Sequence, residues 1–237
     1  MDPYRCKGQS SSSFAVDHRL KIKHMHFTLR SLAFVGTTLA AFAALQAQSF
    51  EGIIEFTKTT GPVVTNYKYY VKGDHVRIEE ISARGDVQGI MLVDNHDKTV
   101  TALSPDRKLY MDVPNMRLPK DVKAEVKKTG EMKDLAGYKC EKWMVKSPVE
   151  DRILTYWVAL DAFDFFKPML ETLNRKDEQA LFFLKVDGAK GVFPMLGVEQ
   201  KMDGSEVSRL EVGRVSRAPQ KTDLFEIPSG FTKFERN

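Results

Sequence analysis

Two histidines and one cysteine are the residues after position 47 whose side chains most readily do chemistry: His75, His96 and Cys140. A metal site needs several ligands at short spacing, as in HxxxH, and general acid–base work needs a positioned partner. His96 has Asp94 and Asp97 beside it, but both histidines fall in or next to turns and no ligand spacing is present. They read as solvated turn residues, and neither a metal nor a cofactor is expected. A nucleophilic Cys140 would need a neighbouring base and a lowered thiol pKa. Neither histidine is near it in sequence, so Cys140 reads as a small buried hydrophobe, with a hydrolase using this thiol kept as an alternative. Ser49, Ser82 and Ser104 lack a GxSxG context, and no Gly-rich loop precedes a helix. The pairs Glu79-Glu80 and Glu150-Asp151 fit strand ends and turns. No catalytic residue is assigned, and the protein is expected not to be an enzyme.

The remaining chemistry is apolar. Trp143, Tyr156, Trp157, Phe163, Phe165 and Phe166 gather in a short stretch of chain, followed by Met169 and Leu170. One reading is a packed core. The other is the lining of a ligand site, since such sites are concave and mainly apolar. On that reading the candidate ligand-binding residues are Trp143, Tyr156, Trp157, Phe163, Phe166, Met169 and Leu170. Eight methionines after residue 47 are dispersed from Met91 to Met202, which fits core or cavity better than copper binding.

The elements that would position these side chains are mostly strands. Period-two alternation runs through Gly52 to Thr57, where Ile54 and Phe56 share a face, and Asn66 to Lys72, where Tyr67, Tyr69 and Val71 do. Lys72-Gly73-Asp74 turns the chain into His75 to Glu80. Ile90 to Val93, Thr99 to Leu103 and Lys108 to Val113 follow at spacings that demand antiparallel neighbours. Residues 114–136, polar and punctuated by Pro114 and Pro119, read as a connection. Tyr138 to Lys146 and Ile153 to Ala159 resume the strands, the latter apolar on both sides and therefore expected to be covered on both. Phe163, Phe166, Met169, Leu170 and Leu173 recur at helical spacing behind a potential Asp161 cap, with Pro168 predicting a kink or two short pieces. A loop follows. Gly197 to Met202 and Ser205 to Ser216 flank the hairpin signal Asp203-Gly204, and Leu224, Phe225 and Ile227 are available for burial in a docked tail.

The expected architecture is mainly β (α+β): a curved antiparallel sheet or half-barrel of about nine to eleven strands, with a helical segment covering the concave face. The chain of 237 residues is 42% hydrophobic and 29% charged, which excludes a mostly disordered or multi-span membrane protein. The formal +4 charge arises before residue 48, and residues 48–237 carry 30 basic and 30 acidic side chains. A neutral body offers no general attraction to nucleic acid. From Met25, Arg30 leads into an uncharged run from Leu32 to Leu45 that ends in Gln46-Ala47. This order reads as a signal peptide over residues 25–47, too short in its apolar part to span a bilayer. Residues 1–24 read as a mis-assigned N-terminal extension, and 48–237 as a single β-rich domain that is not membrane-spanning after cleavage. The expected location is the periplasm or outside the cell.

Four segments, KYYVKGDHVRIE (68–79), AGYKCEKW (136–143), GVFPM (191–195) and LFEIPSGF (224–231), fall in this order. Together they resemble a bacterial secreted family, domain of unknown function 4412. Members of that family look related to the lipoprotein carriers LolA and LolB, half-barrels whose concave face holds acyl chains. The family carries no assigned activity, and the resemblance assigns no site residues. The strand apolar on both faces and the Phe-rich segment lead to the expectation of an exported, non-enzymatic protein that binds or shuttles an apolar ligand, such as a lipid or a lipoprotein acyl chain, with Phe163 to Leu173 as a movable cover. The alternative is a structural or interaction module of the envelope, whose partner is another envelope protein.

Overall fold

The computed structural model describes residues 49–115, 122–174 and 177–235. The segments read as a signal peptide (25–47) and as an N-terminal extension (1–24) lie outside the described residues.

Twelve strands among the described residues form one curved, open sheet. The first meander comprises β1 (Gly52–Thr60), β2 (Val63–Lys72), β3 (His75–Ile81), β4 (Val87–Asp94), β5 (Thr99–Ser104) and β6 (Leu109–Asp112). The second comprises β7 (Glu125–Leu135), β8 (Tyr138–Ser147), β9 (Arg152–Leu160), β10 (Val192–Gln200) and β11 (Glu206–Arg217). Antiparallel pairing of β1 with β11 joins the two meanders. A two-residue strand, β12 (Thr232–Lys233), adds in parallel to β6, so β12 and β7 are the open edges. The two helices, α1 (Phe166–Leu173) and α2 (Glu178–Phe183), lie in the β9–β10 connection.

Local chemistry explains the tightest joints. Ala136 and Gly137, at φ +48° and +84°, form the two-residue loop between paired Leu135 and Tyr138. Two successive left-handed residues give the turn whose twist matches a β-hairpin. In β10, Pro194 sits at a register shift between Pro194 and Leu196, where a residue with no N–H does least harm to the ladder.

The alternation places Ile54 and Phe56, Tyr67, Tyr69 and Val71, and Leu154, Tyr156 and Val158 in one large core with the helices. A second, smaller core of Ile90, Leu92 and Leu103, on the opposite face, is covered by Phe231 of the C-terminal segment. That segment is tied down by Lys72 Nζ donating to the Gln220 carbonyl at 2.8 Å and Arg77 donating to the Leu224 carbonyl at 3.1 Å. Leu224 and Phe225 are only partly buried and Ile227 is 39% exposed, so Phe231 does the packing expected of those three.

Further expectations are corrected. Residues 125–135 form a strand where a connection was expected. As the edge strand, β7 exposes Lys127, Lys128 and Lys133 to water, which erases the apolar alternation and discourages further pairing. β9 buries Leu154, Tyr156 and Val158 but leaves Ile153, Thr155 and Trp157 only partly covered. On that side the ammonium groups of Lys133 and Lys142 lie 5.8 Å from the Trp157 ring. The helix begins at Phe166 rather than at an Asp161 cap, because Ala162, at φ +50°, takes the chain off the helical path, and the Asp161 carboxylate instead meets Arg217 at 2.9 Å. Pro168 is the third helical residue, where an N–H has no acceptor within the helix, so no hydrogen bond is lost. Pro168 therefore neither kinks nor splits α1, and α2 arises in the stretch expected to be a loop, capped by Asp177, whose side chain accepts from the Ala180 N–H at 3.2 Å.

Candidate functional site

Between the sheet and the helices remains a cavity of about 130 Å³. Its floor is aromatic. Phe56 of β1 stacks on Tyr67 at 5.2 Å and meets Tyr69 edge-on at 4.8 Å, both from β2. Leu210 of β11, Pro194 of β10 and Tyr156 of β9 complete the sheet side. Phe166, Leu170 and Leu173 of α1 and Phe183 of α2 supply the opposing wall. The apolar stripe of α1 is split: Phe166, Met169 and Thr172 are buried, while Leu170 and Leu173 line the cavity and are partly exposed.

The polar groups beside this cavity hold α2 against the sheet. Tyr156, fully buried, donates its hydroxyl to the Gln179 carbonyl at 2.6 Å. Burial pushes that phenol well above its ordinary pKa, and the nearby Asp177, Glu199 and Glu178 charges add to the shift. The Gln179 side-chain amide donates to Ser208 Oγ at 2.7 Å, and Ser208 donates to Glu199 Oε2 at 2.7 Å. Arg152 donates from Nε to Glu199 Oε1 at 2.8 Å, so the buried carboxylate is paired and hydrogen-bonded. Glycine at 197 makes room for this approach, because a Cβ there would lie 2.8 Å from Gln179 Oε1 and displace that amide. At the rim, Lys58 of β1 forms an ion pair with Asp177, the cap of α2.

Of the residues expected to bind ligand, Tyr156, Phe166 and Leu170 line this cavity. Phe163 packs into a phenylalanine cluster, 4.9 Å from Phe50 and 5.5 Å from Phe193, which also takes Phe166 at 4.5 Å from Phe193. Met169 is fully buried in the core. Trp143 is buried on β8, donating from Nε1 to Glu141 at 3.0 Å beneath the Lys128 ammonium. Trp157 lies on the other side of β9 from Tyr156. The lining residues missing from that expectation are chiefly Phe56, Tyr67, Tyr69 and Leu210, with Lys58 and Asp177 at the rim. Their signal was the shared face of Ile54 and Phe56 and of Tyr67 and Tyr69, which marks a covered face without saying what covers it.

The chemistry-bearing residues lie elsewhere. His75 Nδ1 is 3.4 Å from Asp94, and His96, largely exposed, is 3.9 Å from Asp97. Among the described residues no three His, Cys, Asp or Glu side chains are grouped to hold a metal. Cys140 is buried, its sulfur 3.5 Å from the Tyr138 carbonyl, and burial pushes its thiol up to about 11. No helix among the described residues is long and apolar enough to cross a membrane.

Comparison with curated proteins returns no match. Among solved structures, an uncharacterized conserved protein from Thermus thermophilus superposes with a TM-score of 0.49 at 10% identity, covering 85% of this chain and 99% of that one. The MucA/MucB complex of Pseudomonas aeruginosa gives 0.42 at 11% identity, over 75% of this chain and 55% of that one. A putative outer membrane lipoprotein-sorting protein domain from Vibrio parahaemolyticus gives 0.35 at 9% identity, over 79% and 94%. These superpositions are too loose to carry function. The sequence itself matches a family model over residues 50–231, which includes every strand but β12 and both helices, and the chain belongs to the family described as domain of unknown function DUF4412.

Proposed function

We propose that this is an exported, non-enzymatic binding protein of the cell envelope that takes an apolar chain, from a lipid or a lipoprotein, into the concave cavity. The observation that carries the reading is the cavity itself: an aromatic and aliphatic pocket bounded by two short helices, with one ion pair at its rim. Each methylene removed from water there contributes about 0.8 kcal/mol.

The volume sets a condition. Common ligand sites span roughly 300–1,000 Å³, whereas an engineered cavity of about 150 Å³ holds benzene. At about 130 Å³ the closed form accommodates the end of a chain. A whole acyl chain requires α1 to move outward, with Leu170 and Leu173 sliding off the floor, so α1 serves as a movable cover. Kinship to LolA and LolB remains part of this proposal.

Cys140 is not poised for catalysis, since a protonated, buried thiol is neither a nucleophile nor a reachable one. The small closed volume favours a second reading, an envelope interaction module that binds another protein and no small ligand. Native mass spectrometry and lipid extraction of protein recovered without detergent separate the two. Co-purifying lipid supports the first, and a repeatedly empty protein with one stoichiometric partner selects the second.

A further inference from the structure

The rim of the cavity is built differently from its walls. Lys58 and Asp177 are the charged side chains among its lining residues, and both are partly buried, with 23% and 29% of their side chains exposed. They come from opposite sides of the opening, Lys58 from β1 and Asp177 from the residue before α2. Asp177 has a second engagement, accepting from the Ala180 N–H at 3.2 Å. Lys58 is held through Asp177.

This asymmetry decides which head group the rim accepts. A neutral head must leave the ion pair closed or strand both charges. A cationic head would take Asp177 and leave Lys58 beside a like charge. An anionic head replaces Asp177 on Lys58, while Asp177 keeps its bond to the helix and turns toward water. The group that Lys58 already holds is a carboxylate, so an incoming carboxylate reproduces the contact atom for atom.

The geometry points to a single-chain fatty carboxylate as the ligand class: its tail in the cavity between Phe56 and Leu170, its carboxylate on Lys58 in place of Asp177. The inference rests on the apolar-pocket reading above. Binding is then an exchange of partners at Lys58, and it loosens the tie between β1 and the start of α2 as the ligand enters.

The test titrates the whole chain at pH 7.5 with octanoate and with 1-octanol, by calorimetry or ligand-observed NMR, in the wild type, Lys58→Met and Asp177→Asn. Thermal melts confirm that each variant folds, and asparagine retains the capping function of Asp177. In the wild type, octanoate binds about threefold more tightly than octanol, a modest preference because one partly buried ion pair is exchanged for another. Asp177→Asn removes the competitor and raises the ratio to about tenfold or more. Lys58→Met lowers it to unity while octanol binding persists. A ratio that is the same in all three proteins overturns the carboxylate inference and leaves the pocket reading standing. Absence of saturable binding by both probes in all three proteins overturns the pocket reading as well.

Discussion

Gly197→Ala is the sharpest probe of how α2 is held. The backbone at Gly197 is not in the left-handed region, so the substitution adds no conformational strain. Its cost is steric. The new Cβ would sit 2.8 Å from Gln179 Oε1 and 3.5 Å from Tyr156 Cδ1. The first distance is below any relaxed contact and the second is ordinary, so Gln179 must give way. Moving its amide breaks the 2.7 Å hydrogen bond to Ser208 and leaves a buried donor without its acceptor, worth about 1–3 kcal/mol. For a domain of this size, ~2 kcal/mol lowers Tm by roughly 4–8 °C. Differential scanning calorimetry reads the shift, and hydrogen exchange at the Leu181 and Leu184 amides, which close the turns of α2, locates it. The Gln179→Ala background completes the cycle: with the side chain gone there is nothing to displace, so the two substitutions are strongly non-additive. A Tm unchanged by Gly197→Ala, or costs that simply add, would refute this account of the anchor.

Other outcomes follow from the same contacts. Arg152→Ala strands Glu199, which is 5% exposed. Discounted for the partial exposure of Arg152, the loss is about 1–3 kcal/mol in urea unfolding, and Glu199→Gln in the same background should recover part of it. Cys140, with its thiol pushed up to about 11, should resist iodoacetamide at pH 8 in the native protein and react on unfolding, as read by peptide mapping. Because this pKa is raised on folding, its contribution to stability is full below the unfolded value near 9 and is lost as pH rises toward about 11. Cys140→Ala should therefore flatten that part of the alkaline stability profile. Leu210→Phe adds a ring to a pocket of about 130 Å³. It should abolish binding of a short alkanol while changing Tm by only a few degrees, because the ring fills space that is already open.

Much of the sheet was legible because a strand with one buried face writes that face into every second residue, as in Tyr67-Lys68-Tyr69-Tyr70-Val71. The edge strand β7 was not, since both its sides meet water along most of its length and its lysines carry no period. Nor was α2, six residues long and too short to show a helical repeat. The candidate site was legible in part for a related reason. Phe163, Phe166 and Met169 announce a buried apolar segment, but local spacing does not say which of them pack on one another and which face open space. Phe163 is spent on Phe50 and Phe193, while Phe56 and Tyr67, about a hundred residues from α1 in sequence, become the floor. The rim pair Lys58–Asp177 joins residues 119 positions apart, a contact that neither segment foretells.

Side-chain methyl NMR during a titration with 1-octanol tests the concave pocket most directly. The account predicts saturable shifts at Leu170, Leu173 and Leu210, with Ile90, Leu92 and Leu103 on the opposite face unmoved. Saturable shifts confined to the opposite face, or none at all, would contradict it.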